Sequence, residues 1–312
     1  MLILAALAAV ATISMVNSNY FGPQQGVRDY FSALHAGDGA KAMGLLRATV
    51  PAANAAMLDG DGLKTAAAAI EDLHVGNPRQ GPGSHSTVTA TYKIDGASLT
   101  TDFELEPGPR HWLFFDSWRF VPSTLPTIEV SVVNEQQALV NSVPVNMPHG
   151  KNSFAVFYPG RYQSEFRSVF FQAPPVVRTV ASSNTRAPAV ALATGPTTAL
   201  TGQVSDKLHE YLDGCAAQTV LLPTDCPLSN HSDNRILSTV KWSILDYPKV
   251  DISAYGGTWV LAPLTVKARV EYQEQELFTG KVSDVKTAED FGFSAKLTVT
   301  DNSVTVTPVV SY

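Results

Sequence analysis

Cys215 and Cys226 are the residues whose type and spacing bear most directly on chemistry. They stand in CAAQTVLLPTDC, and the 312-residue chain holds no third cysteine. In an oxidising compartment so close a pair forms a local disulfide, and closing so short a loop contributes about 3 kcal/mol by chain-entropy reasoning. Two reduced, buried thiols are the alternative. Zinc would need two further ligands, and the nearest histidines, His209 and His231, do not complete a recognisable ligand spacing. The seven histidines, His35, His74, His85, His111, His149, His209 and His231, include no HExxH sequence and no i, i+4 pair. Surface or capping roles are expected of them. No serine sits in a G-x-S-x-G elbow with a recognisable His and Asp order, so an acyl-transfer triad has no support. Asn230-His231-Ser232 matches a glycosylation sequon, which matters only in a host with that machinery. The reading therefore assigns no catalytic, cofactor or metal residue, and its one site is the disulfide Cys215–Cys226.

The chain around these residues carries 22 basic and 28 acidic side chains, a net charge of -6, with 45% hydrophobic and 16% charged residues. The charged share is below the usual value of about 25% for globular proteins. Nucleic-acid affinity rests on clustered Lys and Arg, so DNA and RNA are set aside as partners. Residues Met1 to Val16 form an uncharged apolar run, and no Lys or Arg occurs before Arg28. As a helix the run covers about 24 Å, short of the roughly 30 Å hydrocarbon core, and it lacks the basic residues of an export signal. Residues 1–19 are accordingly expected to be a transmembrane anchor whose start is truncated. A signal peptide cut after Ala9-Val10-Ala11 is the second reading, and a buried soluble helix the third. Either of the first two places the remaining chain outside the cytoplasm.

Three modules are expected beyond that segment. In residues 20–122, Val27, Tyr30, Phe31 and Leu34 recur at i, i+3, i+4 and i+7 in a helix ending at Gly37. Asp38 caps a second helix through Leu46, and Leu63, Ala67, Ile70 and Leu73 mark a third. Ser86 to Ile94 then alternates, Asp95-Gly96 signals a hairpin into Leu99 to Leu105, and a further strand runs from Trp112 to Val121. Phe114, Phe115, Trp118 and Phe120 read as core on that strand. Residues 123–197 read as a small all-β sandwich, with alternating Ile128, Val130 and Val132 and turns at Asn134-Glu135, Pro148-His149-Gly150, Pro159-Gly160 and Ser183-Asn184. Residues 174–200 are rich in Ala, Pro and Thr, as a linker would be, and Val176 to Ala181 and Ala189 to Ala193 are assigned to the sandwich as its expected last strands. In residues 198–312 the helix pattern returns, with Leu208, Tyr211 and Leu212 before Gly214. The strands Val240 to Ile244, Trp259 to Leu261, Val266 to Tyr272, Leu277 to Val282, Phe291 to Val299 and Val304 to Val309 follow it.

The helix-capped sheet opened by GVRDYFSALHAGDGAKAMGLL resembles an NTF2-like domain, a cone-shaped α+β fold, and Leu200 to Tyr312 resembles a second one. The order anchor, NTF2-like, β-sandwich, NTF2-like is similar to that of TcaA-like membrane proteins of Gram-positive bacteria, and the Ala-rich, Lys-poor composition looks actinobacterial. FYPGRY at Phe157 to Tyr162 looks like the turn of their small β domains, and CAAQTVLLPTDCPL like a recurring disulfide element. The cytoplasmic zinc ribbon common in such proteins is not part of this sequence. The resemblance implies fold class α+β, two NTF2-like domains flanking a small β-sandwich, and a single-pass role in the cell envelope with no cofactor and no transferable active site. The implied partners are the membrane through the N-terminal helix and cell-wall material, lipid or another envelope protein. NTF2-like cones also host small-ligand or isomerase and lyase sites built from an Asp base and a Tyr donor. The pairs to test against that alternative are Asp102 with Tyr92, and Asp246 with Tyr247. Tyr92 shares its face with Val88, Ala90 and Ile94 and reads as core; Asp246 reads as a turn residue.

Overall fold

The computed structural model describes residues 21–81, 83–109, 117–184 and 187–310. The expected anchor over 1–19, and Phe114 and Phe115, lie outside the described residues. The fold is α+β, with four helices among the described residues and mostly antiparallel sheets. The chain divides into two compact units: one runs to Phe166 and takes in Pro174–Ala193, and the other joins Arg167–Ala173 to the residues from Thr194 onward.

In the first unit, helix α1 (Pro23–Ala36) starts with a proline whose fixed φ suits the first helical turn. Its Val27, Tyr30, Phe31 and Leu34 are all buried, so the predicted apolar stripe is the packing face. Gly37 ends it at φ 72°, and its N–H and that of Asp38 close back on Leu34 and Ala33. Asp38 Oδ1 then accepts the Lys41 amide at 2.9 Å and starts α2 (Gly39–Leu46). Helix α3 (Gly60–Ala68) stops short of the predicted end, and Leu73 lies instead in β1 (Glu71–Val75). The reason is tertiary pairing. Residues 71–75 pair with β3 (Ser86–Ile94) and give that strand a hydrogen-bonded neighbour, which a helix, closing its backbone groups on itself, would not supply.

Strand β2 (Arg79–Gln80) also pairs with β3, and the sheet continues through β4 (Ala97–Pro107) to β5 (Trp118–Phe120). Strand β3 buries alternate residues, as its sequence predicts. Asp95 and Gly96 both have positive φ, 50° and 77°, which is the two-residue turn that the Asp-Gly pair favours. The chain then passes through β6 (Thr127–Val132), β7 (Gln137–Val140), β8 (Val143–Asn146), β9 (Lys151–Ala155), β10 (Gly160–Arg167), β11 (Phe171–Val180) and β12 (Val190–Leu192). These form a three-stranded sheet in the order β12-β6-β9 and a second in which β11, β10, β7 and β8 follow one another. The predicted all-β character of this stretch holds.

One aromatic core serves both parts of the first unit. Tyr30 of α1 has ring centroids of Phe103, Phe120 and Phe157 at 5.7, 5.8 and 6.3 Å, and Tyr158 stacks on Phe103. The Tyr30 hydroxyl donates to the Tyr158 carbonyl at 2.6 Å, so a buried phenol and a loop carbonyl satisfy each other.

The second unit opens with β13 (Gly195–Pro196), paired with Phe171 and Gln172, and with α4 (Thr198–Ala216), capped by Thr197 Oγ1 on the Leu200 amide. Leu200, Val204, Leu208, Leu212 and Cys215 form the buried stripe of α4. Strands β14 (Arg235–Ile236) and β15 (Lys241–Asp246) pair with β18 (Leu264–Gln275), which is followed in the sheet by β19 (Val282–Val299) and β20 (Val304–Val309). Strands β16 (Ile252–Tyr255) and β17 (Thr258–Leu261) make a separate hairpin. The stretch predicted as a strand from Leu277 to Val282 is a turn, with β19 beginning only at Val282. The Glu276 carboxylate accepts the Phe278 and Thr279 amides and so takes over the backbone donors that strand pairing would have used. Among the described residues no helix is long and apolar enough to cross a membrane.

Candidate functional site

Cys215, at the end of α4, is bonded to Cys226 in the following loop, and both are buried. The bond ties the last turn of the helix to the segment that leads into the sheet. Nearby, Gln218 Oε1 accepts the Thr224 amide at 2.8 Å, and the Tyr211 hydroxyl donates to the Asp225 carbonyl at 2.6 Å. A bonded pair of this kind fits an oxidising, extracytoplasmic compartment.

The two Asp and Tyr pairs are not brought together. Tyr92 is buried, its hydroxyl lies 2.8 Å from Thr101 Oγ1, and the Thr101 hydroxyl donates a hydrogen bond to the Ala181 carbonyl. Burial raises the Tyr92 pKa, which keeps the phenol neutral. Asp102, one residue along β4, points to the opposite, exposed face, where it accepts from Thr89 and lies 3.7 Å from Arg79. In the second unit Asp246 sits in the register of β15 opposite Lys267. Tyr247 turns instead to α4: its hydroxyl donates to Asp213, and its ring centroid lies 3.9 Å from that of His209. The bond to Asp213 is the main cause of a raised Tyr247 pKa. Ser205, His209 and Asp213 share one face of α4 at helical spacing, which sequence reading passed over. Ser205 Oγ and His209 Nε2 are 3.5 Å apart, the outer limit of a hydrogen bond, and Asp213 is engaged by Tyr247.

Hollows open on the surfaces of both units among the described residues. In the first unit one of about 200 Å³ lies beside Asp102, Glu104, Phe120, Ser123 and Tyr158, and one of about 400 Å³ beside Glu129, Ser131, Lys151 and Asn152. Another, of about 500 Å³, lies on the β15-β18-β19 face of the second unit and is lined by Lys241, Glu271, Gln273, Asp284 and Lys286 among others. Glu271 stands across from Lys241 on one neighbour and from Lys286 on the other, with Lys286 Nζ 2.8 Å from its carboxylate. The hydrogen bond from Lys286 is the main reason that Glu271 titrates below the usual carboxylate range. Among the described residues the other carboxylates with a shift are lowered too, Asp72 by Lys93, Glu106 by Arg47 and Glu276 by Thr279. Each is held ionised by a donor beside it. The β15-β18-β19 face thus presents ammonium donors, carboxylate acceptors and the Gln273 amide in alternation, a pattern suited to hydrogen-bonding a polar ligand in open solvent.

Among the described residues no group of three His, Cys, Asp or Glu side chains is placed to hold a metal ion. No family model, curated protein or solved structure matches the chain.

Proposed function

We propose that this chain is a membrane-anchored, extracytoplasmic binding protein of the cell envelope, acting through surface contacts with cell-wall material, lipid or another envelope protein and not through catalysis. The observation that carries the reading is the filled interior of the first unit. Where an NTF2-like cone would open a substrate cavity between helix and sheet, Tyr30, Phe31, Phe103, Phe120 and Phe157 pack ring against ring. The hollow on the β15-β18-β19 face of the second unit is lined by polar and charged side chains, among them the ion pair of Glu271 with Lys286. The disulfide and the apolar run Met1 to Val16 support the envelope placement and the single-pass anchor. The NTF2-like resemblance of both helix-then-sheet segments leaves small-ligand binding, or isomerase and lyase chemistry, as the second reading. That reading requires a raised carboxylate in an enclosed pocket.

The test is retention of the purified chain on isolated cell-wall and lipid fractions. The wild-type chain is expected to be retained on at least one fraction, and the double variant Lys241→Ala, Lys286→Ala is expected to be released from the wall fraction at lower salt. Retention on neither fraction would count against the proposal.

A further inference from the structure

Beyond the last strand pair of the β18–β19 hairpin, residues 276–281 form a turn that projects two large apolar side chains into solvent. Phe278 is 96% exposed and Leu277 is 68% exposed, with Val282 at the base of the turn 51% exposed. Apolar side chains at a disordered tip would need no explanation, but this tip is built. The Glu276 carboxylate accepts the amides of Phe278 at 3.2 Å and Thr279 at 2.9 Å, and the Thr279 hydroxyl as well. The Glu276 carbonyl accepts the Gly280 amide, the Glu276 amide donates to Lys281, and Gln275 Nε2 closes on the Gly280 carbonyl at 3.0 Å. Most backbone donors of the turn are thus satisfied internally. Those N–H groups would lose no water partner if Leu277 and Phe278 entered an apolar medium.

Resting on the envelope reading above, we infer that the 276–281 tip is a membrane-contact element, which seats Leu277 and Phe278 in the acyl boundary of a lipid surface. Area selects the occupant. A stable protein interface takes about 800 Å² per partner, far more than two adjacent side chains on a turn present, whereas shallow insertion of one or two apolar side chains holds a chain that another segment already tethers. The apolar run Met1 to Val16 is the tether that the sequence offers. Charge selects the lipid weakly. Glu274, Glu276 and Asp284 flank the tip against Lys281, Lys286 being paired with Glu271, so contact is expected on neutral phosphatidylcholine and is not strengthened by an anionic lipid.

The test is the fluorescence of a Phe278→Trp variant of the full chain, with the unsubstituted chain subtracted for its native tryptophans. Both are mixed with phosphatidylcholine vesicles carrying brominated acyl chains, with and without phosphatidylglycerol. The expected result is a blue shift of the introduced indole and loss of its emission to the bromolipid, with or without phosphatidylglycerol. Emission that stays at the water-exposed wavelength and unquenched overturns the inference. So does a blue shift that is already complete without vesicles, which would place a protein pocket or second copy on the tip. Flotation of the same samples reads the tether separately: a chain that floats with an unquenched indole keeps the anchor and loses the tip.

Discussion

The Tyr30 phenol shows how much one buried polar atom decides in this fold. Its hydroxyl serves the Tyr158 carbonyl, and Tyr162 serves Phe157 in the same way at 2.7 Å. Burial is the first cause of raised pKa values at both phenols. An unfolded tyrosine releases its proton near pH 10, where the folded chain still holds these two. Above that pH the unfolded state binds fewer protons than the native state, so stability is whole below about pH 10 and is lost as the pH rises. Urea midpoints compared at pH 8 and pH 11 are expected to show that fall. Tyr30→Phe is expected to cost about 1–3 kcal/mol at pH 8 through the stranded Tyr158 carbonyl, and to shrink the alkaline loss. At this scale part of the candidate site was legible. A two-residue turn at Asp95-Gly96 sets Tyr92 opposite Leu99, so Leu99, Thr101 and Phe103 share its face and Asp102 must point away. The Tyr30 bond to a carbonyl 128 residues further on carries no local signal in the sequence.

Among the elements, the corner from α1 to α3 rests on close backbone approach. A Cβ on Gly39 would lie 1.8 Å from the Leu58 carbonyl oxygen, whereas one on Gly44, in the same helix, meets nothing within 4 Å. Gly39→Ala is therefore expected to destabilise the first unit severely. Gly44→Ala is expected to be neutral or to stabilise by up to about 1 kcal/mol, since alanine restricts the unfolded chain and suits a helix. Thermal melts of the two variants side by side separate these outcomes. Periodicity made α1, α4 and the strands β3, β6 and β18 readable, because each buries one face and repeats with the period of its element, and the capping aspartate Asp38 made α2 readable. It failed where a neighbour decides. Ile70 and Leu73 continue a helical spacing that β3 overrides by pairing, and Leu277 with Phe278 read as strand although a glutamate caps them into a turn.

For the whole molecule, the account depends on where the chain resides. The bonded pair Cys215–Cys226 closes a loop of sequence separation 11, worth about 3 kcal/mol of chain entropy, only where thiols oxidise. The proposed anchor, wall contact and membrane tip all need the same compartment. Fractionation of native cells under an alkylating reagent, followed by mass measurement of the intact chain, tests this directly. The account predicts recovery in the envelope fraction with no alkylated cysteine until a reductant is added. Recovery in the cytosolic fraction with both cysteines alkylated would contradict it.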